Sequence, residues 1–210
     1  MDCQFDSQEA FTRAFKALFN MTPAQYRKMN EPFRLLYKNQ INEDDLSFLQ
    51  NRISMEPEII TQPAMKLVGI ANQYTDEDLS LPRLWSGFAP YRDTIANRVG
   101  DEFFGIYESY EEAEEGTTFV YICSARVENF EQVPEGMITR EMPEQTYARF
   151  THKGPIAQLE ETLRYIWGSW LPKSAYEYEE KPDFELYPAG FNDADPENKL
   201  YLNIPVRKKS

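Results

Sequence analysis

The order strand, helix, strand, strand is predicted twice along the second part of the chain, and this repeat constrains the fold more than any single element does. The first unit comprises predicted strands at 64–73, 103–109 and 117–127 and a predicted helix at 82–96. The second unit comprises strands at 145–152, 183–188 and 199–206 and a helix at 156–170. Two such units are expected to join their strands into one antiparallel sheet with both helices on one face. We therefore predict an α+β fold of duplicated β-α-β-β units, with a cleft at the seam between the halves or on the other face of the sheet.

The two predicted helices are amphipathic and share a short stretch of similar sequence. The first places Leu84, Trp85 and Phe88 on one stripe, and the second places Leu163 and Trp167 on a similar one. The segment RLWSGF in the first helix parallels YIWGSW in the second. Duplication of one unit accounts for this parallel, and chance similarity of two amphipathic helices is the alternative.

Residues 1–30 form a separate segment with two predicted helices. Apolar residues recur at helical spacing over 7–19, with Ser7 as the N-cap, and Thr22-Pro23 begins a second helix that runs to about Lys28. This segment has four basic and three acidic residues, whereas the rest of the chain carries the acid excess. The charge shift predicts a boundary near residue 30. Residues 31–54 are predicted to be a linker of moderate order, with a possible short helix at 44–51.

Composition limits the partners of the chain. The formal net charge of −13 repels a phosphate backbone, so any contact with DNA must be local. Cys3 and Cys123 belong to no cluster with metal-ligand spacing, and the acidic runs at 108–115 and 177–180 are interpreted as solvated loops. No signal peptide and no apolar run of bilayer length is found. We expect a cytoplasmic protein with no cofactor, no metal and no membrane contact.

Strand alternation at 183–188 places one carboxylate and one phenol side by side. Glu185 and Tyr187 share one face of this strand, while Phe184 and Leu186 are expected to point into a helix-covered core. Aromatic residues of neighbouring strands are predicted to converge on the Glu185 face: Tyr107, Tyr121 and Tyr147. A solvated polar face is the alternative interpretation of the same pattern.

An enclosed carboxylate among aromatic rings favours a cationic ligand. Desolvation penalises the anion, a cation relieves that penalty, and each ring face adds roughly 0.5 to 2 kcal/mol of cation–π attraction. The same atoms suit an enzyme, in which Glu185 acts as general base or acid and Tyr187 donates to an oxyanion. His152, the only histidine, has no partner for a catalytic triad, and we assign it a structural role.

Residues 6–28, DSQEAFTRAFKALFNMTPAQYRK, resemble the end of the AraC/XylS DNA-binding domain. The matching positions are Phe5, Ser7, Gln8, Phe11, Arg13, Phe15, Lys16, Thr22, Pro23, Tyr26 and Arg27. The resemblance implies that this segment is a second recognition helix and the terminal helix after it. It also implies that DNA is contacted by Ser7, Gln8, Arg13 and Lys16. Because the first helix-turn-helix motif of that family is missing, we expect a regulator truncated at its N-terminus, which binds DNA only if the missing part is present.

Residues 55–206 resemble the gyrase-inhibitor-like effector-binding domain, which occurs in Rob-like and BmrR-like regulators. The resemblance rests on the order of short motifs: Lys66 to Ile70, Leu84-Trp85, Gly105 to Tyr107, Tyr147 to Phe150, His152 to Pro155, Trp170 to Pro172, Glu185 to Tyr187 and Ile204 to Val206. It implies a duplicated β-α-β-β fold and a cleft for lipophilic, often cationic compounds. It also implies that Glu185 and Tyr187 bind the ligand, with walls from Trp85, Phe88, Tyr107, Tyr147 and Trp167.

These expectations combine into one hypothesis. Residues 1–30 are a partial helix-turn-helix segment, 31–54 a linker and 55–210 an effector-binding domain. The chain is then the ligand-sensing part of an AraC-type transcriptional regulator. Two alternatives remain open: a hydrolase of reactive small molecules that uses Glu185, and a module that sequesters a protein partner.

Overall fold

The computed structural model describes residues 8–19, 22–28, 56–75, 80–113, 116–193 and 195–209. Both predicted N-terminal helices are confirmed, as α1 (Gln8–Phe19) and α2 (Pro23–Lys28). Thr22 and Gln25 form a reciprocal cap at the start of α2: the Gln25 amide donates to Thr22 Oγ1 at 3.2 Å, and the Thr22 amide donates to Gln25 Oε1 at 2.7 Å. The predicted N-cap Ser7, the linker and the short helix at 44–51 lie outside the described residues.

Nine antiparallel strands follow in the described part of the chain. They are β1 (Glu58–Gln62), β2 (Met65–Thr75), β3 (Arg98–Ala113), β4 (Gly116–Val127), β5 (Ile138–Met142), β6 (Gln145–Lys153), β7 (Tyr176–Tyr178), β8 (Asp183–Tyr187) and β9 (Lys199–Lys208). Their order across the sheet is β1-β6-β9-β8-β3-β4-β2-β5, and β7 pairs with β9 off this path. The six predicted strands are confirmed, whereas β1, β5 and β7 were missed.

The sheet order reveals the predicted duplication. On one side of the centre the order is β3-β4-β2, and on the other it is β8-β9-β6, so the two units are related by an approximate twofold between β3 and β8. Each unit contributes its strands in the same order, since β2, β3 and β4 correspond to β6, β8 and β9 along the chain. The α+β fold with duplicated units is therefore confirmed.

Strands β1 and β5 show that the sheet is curled. Only Pro63 and Ala64 connect β1 to β2, so the Cα atoms of Gln62 and Met65 lie at most about 11 Å apart. Five strands stand between β1 and β2 in the sheet, and a flat sheet would separate them by about 29 Å. The two ends of the sheet must therefore approach each other. The corresponding β5 leads into β6 through two residues and closes the curl in the same way.

The helices of the repeat cover one face of this sheet. Helix α3 (Leu81–Phe88) continues as a 3-10 turn (Ala89–Tyr91). A 3-10 turn (Ile156–Gln158) leads into α4 (Leu159–Tyr165), and a π-helical turn (Ile166–Trp170) leads on to α5 (Leu171–Lys173). The predicted helix at 82–96 was too long. Pro90 has no amide hydrogen to donate to the preceding turn, so the α-helix ends before it.

The prediction that Phe184 and Leu186 face a helix-covered core is wrong. Their face of the sheet packs into a core built from strand residues alone, in which Phe184 contacts Phe104 and Tyr147. The helices lie instead over the opposite face, where Glu185 and Tyr187 are found. The curl explains this arrangement, because a sheet that folds over on itself covers its inner face with its own strands.

Candidate functional site

Three adjacent strands bring the predicted carboxylate and its aromatic neighbours to one place. In the register of β8 and β3, Glu185 pairs with Gly105 and Asp183 pairs with Tyr107. In the register of β3 and β4, Tyr107 pairs with Tyr121. Residues that pair directly point to the same face of an antiparallel sheet, so all of these side chains lie under the helices.

Glu185 is held by three phenolic hydroxyl groups. Tyr187 and Tyr121 donate to Glu185 Oε2 at 2.6 and 2.8 Å, and Tyr107 donates to Oε1 at 3.1 Å. The residue is only 3% exposed. We call Glu185, Tyr107, Tyr121 and Tyr187 the glutamate cluster. The predicted convergence of Tyr107 and Tyr121 on the face that Glu185 and Tyr187 share is confirmed.

Burial sets the electrostatics of the glutamate cluster. Burial raises the pKa of Glu185, while the hydrogen bonds from Tyr187, Tyr121 and Tyr107 oppose that rise without cancelling it. Burial also raises the pKa of each tyrosine well above its usual range, and the nearby Glu185 charge adds to the rise. The hydroxyls therefore stay protonated and act as donors. None of the ion pairs in the described part of the chain includes Glu185.

Gly105 makes room for the glutamate cluster. A Cβ atom at this position would lie 2.0 Å from the Tyr121 hydroxyl oxygen and 3.0 Å from Glu185 Oε2. Such contacts are far closer than van der Waals distance, so a side chain here would push Tyr121 off the carboxylate. The glycine is thus needed for the hydrogen bond between the two residues.

Trp85 of α3 covers the glutamate cluster. Its indole Nε1 donates to the Tyr121 hydroxyl at 3.1 Å, and its ring meets the Tyr187 ring edge-on with centroids 4.7 Å apart. Phe88 lies behind it, fully buried, and contacts Trp85 and Phe103. The structure thus brings Trp85 to the predicted site, while Phe88 supports Trp85 from behind.

The predicted wall residue Tyr147 is not part of this site. It projects from β6 on the opposite face of the sheet, where its ring meets Phe184 at 5.0 Å and its hydroxyl donates to the Pro182 carbonyl at 3.2 Å. The prediction that Tyr147 converges on Glu185 is wrong. Tyr147 pairs with Pro205, and Phe184 pairs with Asn203 two residues earlier on β9, so Tyr147 lies on the face that carries Phe184.

A second cluster surrounds the side chain of Arg13 in α1. Arg13 Nη2 donates to Asp183 Oδ1 at 2.9 Å and lies 3.5 Å from Glu9 Oε1. Three aromatic rings surround the guanidinium carbon, at 3.6, 5.0 and 5.3 Å from their centroids: Tyr110, Trp167 and Tyr178. We call Asp183, Tyr110, Trp167 and Tyr178 the arginine cage. It contains the predicted wall residue Trp167.

The charges in the arginine cage depend on each other. Burial alone would lower the pKa of Arg13, but the Asp183 carboxylate, together with Tyr110 and Tyr178, outweighs the effect of burial and keeps that pKa well above its usual range. Burial raises the pKa of Asp183, and Arg13 opposes the rise. Asp183 stands two residues before Glu185 on the same face of β8, so the arginine cage and the glutamate cluster are neighbours.

The predicted DNA contacts are placed as follows. Gln8 is exposed and Lys16 is partly buried, whereas Ser7 lies outside the described residues. The Arg13 side chain is only 11% exposed and points into the arginine cage. In this conformation Arg13 cannot reach a DNA phosphate, which departs from the expectation for that residue.

Sequence reasoning missed the arginine cage, although one signal was present. Strand alternation places Asp183 on the same face as Glu185 and Tyr187, so its position could have been inferred. The approach of α1 to the sheet carried no comparable signal, because it depends on tertiary packing. Arg13 and Tyr110 are 97 positions apart, and no local periodicity relates them.

The remaining candidates have structural roles or form no site. His152 is buried, with Nδ1 2.7 Å from Thr162 Oγ1 and Nε2 3.2 Å from the Pro155 carbonyl. Because a carbonyl only accepts, Nε2 carries the proton and Nδ1 accepts from Thr162.

The described residues contain no group of three or more His, Cys, Asp or Glu side chains arranged to hold a metal ion. Part of the first acidic run is strand rather than loop, since β3 extends to Ala113. None of the described helices is both long and apolar enough to span a bilayer.

Two family profiles match the chain. Residues 55–207 match the GyrI-like small molecule binding domain, and residues 1–28 match the bacterial regulatory helix-turn-helix proteins of the AraC family. A curated relative, the transcriptional regulator BrlR of Pseudomonas aeruginosa, is 31% identical over 155 residues. That match covers 73% of this chain and 56% of BrlR, so the chain spans little more than half of the relative.

Solved structures share the fold at low sequence identity. The structure of SAV2435 bound to tetraphenylphosphonium aligns with a TM-score of 0.55 at 18% identity, over 72% of this chain and 94% of that one. EcmrR in its complex with DNA aligns with a TM-score of 0.58 at 18% identity, over 80% of this chain and 64% of EcmrR. At these identities the likeness concerns the fold.

Proposed function

Because this chain belongs to the GyrI-like small molecule binding domain family, we propose that it senses lipophilic cations and is the effector-binding part of an AraC-type transcriptional regulator. In this proposal residues 55–210 bind the ligand, residues 31–54 link the parts, and residues 1–30 belong to the DNA-binding segment. BrlR and EcmrR support the regulatory assignment, since one is named a transcriptional regulator and the other was solved with DNA.

The observation that carries the proposal is a buried carboxylate that has neutral donors around it and no cationic partner among the described residues. An anion in such a place is costly, and a cation that enters relieves the cost. The rings of Tyr107, Tyr121, Tyr187 and Trp85 supply faces for cation–π contact, each with roughly 0.5 to 2 kcal/mol. SAV2435, which shares the fold, was solved with a lipophilic phosphonium cation.

Ligand entry requires a local rearrangement. Glu185 is 3% exposed, and Trp85 packs directly on Tyr187 above it. A bulky cation therefore reaches the carboxylate only when Trp85 and part of α3 move aside. Helix α3 is short and begins without a side-chain cap, so its displacement costs little compared with that of a strand.

The test compares thermal stabilisation by tetraphenylphosphonium for the parent chain and for Glu185→Gln, with triphenylphosphine oxide as a neutral compound of similar shape. At about 100 times its dissociation constant, a ligand should stabilise the parent by about 2.7 kcal/mol. We expect this stabilisation to fall at least several-fold in Glu185→Gln and to be absent with the neutral compound. Equal shifts in both proteins would reject the charge role of Glu185.

One observation favours hydrolysis as a second candidate. The raised pKa of Glu185 and its 2.6 Å bond from Tyr187 are features of an acid–base pair. However, three of the four acceptor positions of the carboxylate are occupied, which leaves one for a water molecule. Turnover of a p-nitrophenyl ester that disappears in Glu185→Gln would support this candidate, whereas binding of the phosphonium without turnover of the ester supports sensing alone.

A further inference from the structure

The side chain of Arg13 has the chemistry of a bound ligand. It is a planar cation enclosed by the faces and edges of three aromatic rings and paired with one buried carboxylate, Asp183. Tyr110 comes from the first repeat, whereas Trp167 and Tyr178 come from the second. The guanidinium therefore lies at the seam between the repeats, next to the glutamate cluster.

We propose that the arginine cage is a second cation-binding site of this protein, selective for planar amidinium and guanidinium groups, and that Arg13 occupies it as an internal ligand. A free molecule with such a group competes with Arg13 and releases helix α1 from the effector-binding domain. This inference deepens the proposed function and rests on it for the ligand-sensing role of the domain, while the competition itself involves Asp183 and Arg13 rather than Glu185.

The packing of α1 shows why Arg13 controls its attachment. Among the described side chains of α1, the apolar ones that are buried are small: Ala10 and Ala14 lie in the core cluster that includes Trp167. Two alanines bury little apolar area, so their contacts contribute only modestly to docking. Arg13 joins α1 to the domain through its ion pair to Asp183 and its three ring contacts, and Glu9 accepts a further hydrogen bond from Tyr178 at 3.0 Å.

The hydrogen bonding of Arg13 in the arginine cage is incomplete, which favours its replacement by a free ligand. Its Nε atom is buried and has no hydrogen-bond partner among the described residues. A buried donor without an acceptor weakens the interaction that contains it. A small amidinium places both of its nitrogens freely against Asp183, because it is not tied to a helix at a fixed distance.

Competition would connect ligand binding with the helix-turn-helix segment. Arg13 lies within residues 1–28, which match the AraC-family profile. While it occupies the arginine cage, its guanidinium is unavailable for a phosphate. By linkage, a ligand that takes the cage favours the released form of α1 to the same extent that docking of α1 weakens the ligand.

The first experiment measures benzamidine binding by calorimetry. The chains compared are the parent, Arg13→Ala, Arg13→Lys and the double variant Arg13→Ala with Asp183→Asn. Emptying the cage should increase the affinity for benzamidine at least about tenfold in Arg13→Ala, the factor expected if the docked form outnumbers the released form by ten. Arg13→Lys should bind benzamidine with intermediate affinity, because lysine keeps the charge and loses the planar group. The double variant should not show this increase in affinity for benzamidine.

Arg27→Ala is the matched control, since it removes an exposed arginine from the neighbouring α2. It should bind benzamidine as the parent does. Equal affinity of Arg13→Ala and Arg27→Ala would overturn the proposal. If Arg13→Ala does not fold, the comparison of Arg13→Lys with Arg27→Lys decides in the same way.

The second experiment uses the unmodified chain and hydrogen exchange. Saturating benzamidine should accelerate amide exchange in residues 8–16 several-fold and leave the strands β3 and β8 unchanged. Unchanged exchange in α1 would overturn the release of the helix. The two proposals can fail separately. If the benzamidine results match these expectations but Glu185→Gln leaves phosphonium binding unaffected, the second cation site stands and the proposed role of Glu185 is rejected.

Discussion

The two buried carboxylates on β8, Asp183 and Glu185, differ in the groups that bond to them. Glu185 has three phenolic donors, whereas Asp183 has the Arg13 guanidinium. Burial raises the pKa of both groups. Only Asp183 has a cation within reach in the described part of the chain. Glu185 therefore bears an electrostatic penalty, which under the proposed function a cationic ligand relieves.

The raised pKa of Glu185 predicts how stability depends on pH. The folded pKa lies above the value of 4.5 for an unperturbed glutamate, so this group favours folding at low pH and loses that contribution as the pH rises through the folded pKa. Glu185→Gln removes the charge, and the tyrosine hydroxyls can rotate to accept from the amide. At pH 7 the variant should be more stable than the parent, because the amide has no charge to desolvate.

Denaturant unfolding between pH 4 and pH 7 measures this effect. The difference between Glu185→Gln and the parent should shrink toward pH 4, which lies below the usual pKa of 4.5, so that this carboxyl group is largely protonated in both states of the parent. Glu160→Gln serves as the control, because Glu160 is an exposed partner of Arg164 on the helix surface. A stability difference for Glu185→Gln that stays constant over this pH range contradicts the account.

At the scale of secondary-structure elements, sequence patterns predicted the features that depend only on residues close together in the chain. Helical spacing and strand alternation located α1, α2 and the six strands of the repeat, and alternation along β8 placed Glu185 and Tyr187 together. Strands β1 and β5 were missed because each pairs with a strand far away along the chain, β6 and β2 respectively, and five residues carry no signal for such long-range pairing. The same curl reversed the face expected for Phe184 and put Tyr147 in the strand-built core.

The two faces of the sheet predict different effects for matched substitutions of tyrosine. Tyr107→Leu and Tyr147→Leu each remove one ring and one hydroxyl, and both should lower stability. Of these two tyrosines, Tyr107 contacts Glu185 and Tyr147 does not. Tyr107→Leu should therefore weaken binding of tetraphenylphosphonium by about 2- to 30-fold, for the loss of one cation–π contact, whereas Tyr147→Leu should not. Calorimetry well below the melting temperature checks this, and an equal loss of affinity in both variants would contradict the assignment of faces.

At the scale of the whole molecule, an acidic chain that carries the end of a DNA-binding domain presents an apparent conflict. The net charge of −13 disfavours DNA over most of the surface, whereas residues 1–28 match a DNA-binding family. The structure offers a physical connection between the two parts, since α1 packs on the π-helical turn and inserts Arg13 at the seam of the repeats. A ligand at that seam, as proposed, would act where the helix-turn-helix segment is attached.

The most direct test of the central claim is a crystal structure of the chain saturated with tetraphenylphosphonium. We expect the phosphonium under a displaced Trp85, with its phenyl groups against the rings of Tyr107, Tyr121 and Tyr187 and its charge facing the Glu185 carboxylate. A cation bound elsewhere on the surface, with Glu185 still enclosed by its three tyrosines beneath Trp85, would contradict it.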